Sequence, residues 1–138
     1  MENNTVTIST DKSLLDFEVI FSFLSSSYWG KNYTKEMVKK TIEHSLCFGL
    51  YLEGSQIGFA RVITDYTRFA YLADVFILPD KQGRGYGKYL LEGILNHDSV
   101  KDIGKWMLAT SDAHGLYKKF GFKELKEPDK YMERKQTN

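Results

Sequence analysis

The sequence predicts an α/β (α+β) domain in which a mixed central sheet carries helices on both faces. Two local patterns predict it. Apolar runs at 46–52 and 57–63 are separated by Glu53-Gly54-Ser55-Gln56, the spacing of an antiparallel hairpin. A further run opening at Phe69 passes through a glycine-rich turn into a segment of helical spacing. That segment is followed by another apolar run at 106–110, which is how two parallel strands are joined. The order of elements along the chain is β, α, α, β, β, β, α, β, α, β, β.

Each element has its own local cause. Thr5-Val6-Thr7-Ile8-Ser9 alternates and makes a first strand. Thr10 or Asp11 can cap a helix carrying Leu14, Leu15, Val19, Phe21, Phe23 and Leu24, with Gly30 closing the segment. Thr34 is the predicted N-cap of a second helix, with Glu36 in its first turn. The aromatics of the intervening loop, Tyr28, Trp29 and Tyr33, can either line a pocket or pack the loop onto the core. Gly58 inside the second hairpin strand signals a bulge or a close approach to the backbone. Thr64-Asp65-Tyr66-Thr67-Arg68 is a polar turn, and Val75-Phe76-Ile77-Leu78 is a buried strand stopped by Pro79. Tyr86, Leu90 and Ile94, flanked by Leu91 and Leu95, have helical spacing. Asp112 is placed to cap a short helix over 113–120, which Gly121 closes from the C′ position. Runs at 122–125 and 131–133 predict two final strands around Glu127-Pro128-Asp129.

With 138 residues, 42% hydrophobic and 27% charged, the chain is expected to form a single domain, 1–138, with a sizeable core. A net charge of +1 argues against a partnership with nucleic acid driven by charge. No apolar run reaches membrane-spanning length, and Met1-Glu2-Asn3-Asn4 lacks a signal-peptide core. A single cysteine, Cys47, suits a reducing compartment, so the expected location is cytoplasmic and no membrane partner is expected.

The chemistry concentrates after Pro79, in Asp80-Lys81-Gln82-Gly83-Arg84-Gly85-Tyr86-Gly87-Lys88. Glycine lets a backbone approach an anion without a Cβ in the way. The first N–H groups of the following helix lack intrahelical partners, and the helix dipole favours negative charge there. Arg84 adds a fork of donors suited to pyrophosphate. The pattern is neither a Walker loop nor the dinucleotide G-x-G-x-x-G. It resembles the Gln/Arg-x-x-Gly-x-Gly/Ala loop of the GNAT N-acetyltransferases, present here as Gln82-x-x-Gly85-x-Gly87. Leu116-Tyr117-Lys118-Lys119-Phe120-Gly121-Phe122 is similar to that family's Leu-Tyr-x-Lys-x-Gly-Phe. The element order matches the family's over roughly residues 6–134, and the resemblance implies a mostly antiparallel central sheet.

The resemblance also implies roles. Phe76, Ile77 and Leu78 would present main chain to the pantetheine of acetyl-CoA. The backbone N–H groups of Gln82, Gly83, Arg84, Gly85, Tyr86, Gly87 and Lys88 would hold its pyrophosphate. Tyr117 corresponds to the family's general acid, unless it is an ordinary core tyrosine. With ordinary pKa values of ~10 for tyrosine and ~8.5 for a thiol, full proton transfer to a thiolate is uphill by roughly 2 kcal/mol. A hydrogen bond to the developing sulfur charge serves as well. An alkyl ammonium must lose its proton before attacking a thioester. Asp74 is the candidate base, directly or through water, or else a structural partner on one face of the sheet. Ala73 stands where polyamine acetyltransferases carry a glutamate, and Tyr71 lies near where other members place one. Thr110 replaces the family's frequent asparagine. Trp29, Tyr33, Asp65, Tyr66 and Tyr71 are candidates for contact with the acceptor.

The expected activity is acetyl-CoA-dependent N-acetylation of a primary amine on a small molecule, by direct attack on the thioester. A protein-directed acetyltransferase, or an acyl-CoA-binding sensor without catalysis, are the alternatives. His44, His97 and His114 are too scattered for a metal set, so no metal is expected. Homodimers are frequent in the family, though nothing in this sequence specifies an interface.

Overall fold

A computed structural model describes residues 5–27 and 29–136. Its sheet has five strands in the order β1-β2-β3-β4-β5: Val6–Ser9, Leu46–Leu52, Ser55–Thr64, Ala70–Ile77 and Trp106–Leu108. The first four pair antiparallel, and β5 joins β4 in parallel. The sheet is therefore mixed and mostly antiparallel, as the sequence analysis anticipates. Among the described residues four α-helices complete the frame: α1 Phe17–Ser26, α2 Lys35–Glu43, α3 Tyr86–Leu95 and α4 His114–Lys118.

Two buried clusters occupy the two faces of the sheet. Ile20 and Leu24 of α1 and Val38 of α2 pack on Cys47, Phe59 and Phe76. Leu90, Leu91 and Ile94 of α3, with Tyr117 of α4, pack on Phe48, Leu50, Val62 and Leu72. Each fully buried large apolar side chain contributes roughly 1.5–3 kcal/mol, so this two-sided burial is the main source of stability.

The hairpin turn follows from two left-handed residues. Glu53 at φ +50° and Gly54 at φ +85° give the paired positive φ values of a type I′ turn, whose twist matches that of the strands. Gly58 has both features its position suggests. The β2–β3 register shifts between Leu50 and Tyr51, opposite this segment. A Cβ on Gly58 would also lie 2.8 Å from Ile77 Cδ1 and 3.0 Å from the Phe76 carbonyl oxygen.

Three local expectations are corrected. Helix α1 begins at Phe17 rather than after Asp11. Asp11 caps only a single 3-10 turn, Lys12–Leu14, and Leu15 is extended. Asp16 is the N-cap of α1, accepting from the Val19 N–H at 3.2 Å. Buried Gln56 fixes that cap by accepting from the Asp16 N–H at 2.7 Å, a tertiary bond that local pattern cannot reveal. Asp112 does not cap α4. Thr110 Oγ1 accepts from the N–H groups of Asp112 and Ala113 at 3.4 and 3.1 Å instead. Gly121 does close α4: at φ +91° its N–H bonds the Lys118 carbonyl, while the Phe122 N–H reaches back to Tyr117.

The two final strands do not form. Among the described residues the sheet ends at β5, and beyond it lies only a 3-10 turn, Pro128–Lys130. Residues 123–130 carry one apolar side chain besides Pro128, Leu125, and are exposed throughout. Such a segment has too little to bury to hold a strand on the edge of a sheet.

The tightness at Gly58 is open to test. Gly58→Ala is expected to lower the unfolding free energy by about 1–3 kcal/mol, because backbone as well as side chain must shift. Urea unfolding of the two proteins measures it.

Candidate functional site

The site is built where β4 leaves β5. Their ladder holds only three pairs: Ala70 with Trp106, Tyr71 with Met107 and Leu72 with Leu108. Strand β4 continues to Ile77, held on its other side by β3. From residue 73 onward, β4 therefore presents an edge that β5 does not pair. Phe76 stands opposite Phe59, and the Leu78 N–H donates to the Ile57 carbonyl at 2.8 Å. The alternating residue Ile77 turns its backbone toward the open edge, where its carbonyl accepts from Gln82 Nε2 at 2.9 Å. That bond ties the glycine loop to the end of the strand.

The loop has the geometry expected of an anion cradle. Gly83 and Gly85 sit at φ +78° and +86°, with nothing within 4 Å of a Cβ at either, and Gly85 is the N-cap of α3. Tyr89 N–H returns to the Gly85 carbonyl at 3.1 Å, but the backbone N–H groups of residues 83–88 find no acceptor among the described residues. Arg84 and Lys88 are exposed beside them. A row of unpaired donors at the start of a helix, flanked by cations, favours a polyphosphate.

Helix α4 lies against this loop, since a Cβ on Gly87 would meet Leu116 Cδ2 at 3.6 Å. Tyr117, the next residue, is 8% exposed, with its ring edge-on to Phe122 at 5.8 Å. It lines a cavity of about 260 Å³ with Trp106, Leu108, His114 and Leu125. Burial, and next the charge of Asp112, push its phenol above the usual tyrosine range. Tyr117 is thus a neutral hydrogen-bond donor at physiological pH.

Asp74 has the structural partner that its position on one face of the sheet allows. Its Oδ2 accepts from Arg61 Nε at 2.8 Å, and the two side chains are 10% and 14% exposed. Arg61 Nη1 donates to Ser45 Oγ at 3.0 Å. Sequence reasoning missed Arg61 and Ser45. The available signal was an arginine in one apolar strand facing an aspartate in the next.

The candidate acceptor residues are dispersed. Tyr71 stands between Ile63 and Met107 at the base of the divergence. Tyr33 packs on the α1/α2 cluster, and Trp29 is exposed in the loop before α2. Tyr28 lies outside the described residues. Asp65 has a structural task, because its Oδ1 accepts from the N–H groups of Thr67, Arg68 and Phe69 at 2.9, 2.8 and 3.2 Å. These bonds hold its carboxyl below the usual range. Tyr66 is exposed in the same turn at φ +65°. Among the described residues, no three His, Cys, Asp or Glu side chains converge as metal ligands, and no helix is long and apolar enough to cross a membrane.

A family model described as "Acetyltransferase (GNAT) domain" matches residues 43–124. The chain belongs to the GNAT acetyltransferase family. The matched segment contains the β2–β3 hairpin, the divergence of β4 from β5, the glycine loop and Tyr117. A crystal structure from Xanthomonas campestris pv. campestris, named as an acetyltransferase of the same family, is 47% identical. The match covers 96% of this chain and 94% of that one, with a TM-score of 0.91. A protein of Gibberella zeae, named as an acetyltransferase, is 34% identical over 88% of this chain and 81% of its own length. A Clostridium acetobutylicum protein crystallised with acetyl-CoA shares the fold at 15% identity and a TM-score of 0.66, over 95% of each chain.

The lowered Asp65 carboxyl implies a pH-dependent contribution to stability. That contribution is complete above the ordinary aspartate value of ~3.9 and is lost as pH falls through the lower folded-state value. Asp65→Ala should therefore melt below the parent at pH 7, and the gap should narrow by pH 2. Paired thermal melts at the two pH values check this.

Proposed function

We propose that the protein transfers the acetyl group of acetyl-CoA to a primary amine of a small molecule, by direct attack on the thioester. The observation that carries this reading is the continuity of the unpaired β4 edge with the unpaired donors of the glycine loop. That length of backbone suits an extended ligand with an amide-bearing arm at one end and a pyrophosphate at the other. The Clostridium acetobutylicum relative, crystallised with acetyl-CoA, supports the choice of donor.

Bound acetyl-CoA would supply an activated acyl thioester. The chain's own residues bind, orient and handle charge. Of Phe76, Ile77 and Leu78, Ile77 is the one whose backbone faces the open edge, and its N–H pairs with the pantetheine arm. The N–H groups of residues 83–88, with Arg84, hold the pyrophosphate by charge-assisted hydrogen bonds. Tyr117 donates a hydrogen bond toward the sulfur as the C–S bond breaks and the C–N bond forms. The proton of the attacking nitrogen passes to water, because Asp74 is committed to Arg61. That arrangement favours an amine that is already substantially neutral at working pH, as aryl amines are.

A second reading has its own support. With Asp74 paired and Ala73 carrying no carboxylate, the chain would also suit an acyl-CoA-binding sensor. A thiol-release screen of amines with acetyl-CoA separates the two, since a sensor binds acetyl-CoA and releases no thiol with any amine. On an acetylated amine, Tyr117→Phe is expected to lower kcat by about tenfold or more with little change in the KM for acetyl-CoA. An unchanged kcat overturns the role of Tyr117.

A further inference from the structure

Among the described residues, three non-glycine residues have positive φ: Glu53, Tyr66 and Asp74. The first two lie in turns, whereas Asp74, at φ +54°, lies inside β4. Phe59 pairs with Phe76 and Arg61 with Ala73, so Ala60 alone faces both Asp74 and Val75. This is a bulge with the extra residue on β4. It comes two residues after Leu72, the last residue that pairs with β5. The strand therefore turns out of its parallel ladder at this left-handed residue.

The Asp74 side chain is held by a chain of donors reaching α2. Arg61 Nε donates to Asp74 Oδ2, Arg61 Nη1 donates to Ser45 Oγ, and the Ser45 hydroxyl donates to the Thr41 carbonyl at 2.7 Å. Arg61 stands in register between Cys47 and Ala73, beside the buried α1/α2 cluster. Such a network is stiff because surrounding low-dielectric material strengthens each bond and leaves no alternative partner.

We infer that Asp74 is a positioning residue: its ion pair with Arg61, itself anchored on Ser45, holds β4 in the bulged, left-handed conformation that keeps β4 and β5 apart for the acyl donor. The inference rests on the acetyl-transfer reading for its catalytic consequence. An unheld residue 74 relaxes toward the extended region that L-residues prefer, which straightens β4 and lets it approach β5. Backbone groups at the divergence then lose the alignment that transfer between two bound substrates requires.

The test uses Asp74→Asn, which tolerates positive φ but lacks the charge, together with Arg61→Met and the double variant. Both singles are expected to stay folded by thermal melting and to lower kcat by about tenfold to a hundredfold. The KM for acetyl-CoA should rise by about threefold or more in both singles, because the β4 edge that takes its arm closes toward β5. The double variant should lose no more than the worse single, and Arg61→Lys should recover part of the loss. In the free 15N-labelled protein, amide resonances of residues 73–77 should move in both singles alike. Wild-type kcat in folded Asp74→Asn overturns the inference, as do losses that multiply in the double variant. A loss in Asp74→Asn with full activity in Arg61→Met also overturns it, because the carboxylate would then act on substrate itself. If the singles do not fold, Ser45→Ala is judged by the same kinetic and resonance criteria. If the parent protein releases no thiol with any amine, the acetyl-transfer reading fails on its own. The amide resonances still decide the structural part, which unmoved signals at 73–77 overturn.

Discussion

A sheet strand buried on both faces ordinarily pairs on both edges, because each unpaired N–H or C=O in a dry environment costs free energy. Strand β4 departs from this beyond Leu72, and the rest of the molecule accommodates the departure. Strand β3 secures one edge along nearly the whole length of β4, so the other edge can remain open without the strand coming loose. Phe76 and Phe59 anchor it below α1, where Phe23 stacks on Phe76 at 4.1 Å between ring centres. The parallel pairing with β5 ends at Leu72, two residues before the bulge at Asp74, whose carboxylate is bonded to Arg61 and through it to Ser45.

The glycine loop continues the same edge with a change of chemistry. Two left-handed glycines turn the backbone so that successive N–H groups precede α3 without side chains crowding them. The chain's net charge of +1 supplies no strong long-range attraction. On the proposed function, selection of a polyanion rests on local donors, the helix terminus, Arg84 and Lys88. Tyr117 arrives by a separate route, through the packing of α4 against the loop at Leu116. Donor recognition is thus mostly main chain, which tolerates sequence change. The candidates for acceptor contact, Trp29 and Tyr71 among them, are instead dispersed side chains.

Features governed by local chemistry were legible in the sequence. Thr34 caps α2, Gly121 closes α4, Pro79 ends β4, and the alternating glycines precede α3, each through bonds within a few residues. Features settled by distant partners were not. Asp11 and Asp16 both cap, and buried Gln56, far along the chain, decides which one begins the long helix. Residues 122–125 and 131–133 have strand-like composition but lack the burial that would hold them on β5. Strict alternation puts Asp74 and Ala73 on opposite faces. A single left-handed residue breaks that alternation and brings the Asp74 carboxylate to Arg61.

On the proposed function, one continuous stretch of main chain, from the free edge of β4 into the start of α3, holds acetyl-CoA. Titrating 15N-labelled protein with acetyl-CoA and following backbone amide resonances tests it most directly. The amides of residues 76–78 and 83–88 are expected to move together at the same ligand concentration, with Tyr117 following. Saturable shifts confined to other parts of the molecule, or no shifts at millimolar acetyl-CoA, would contradict it.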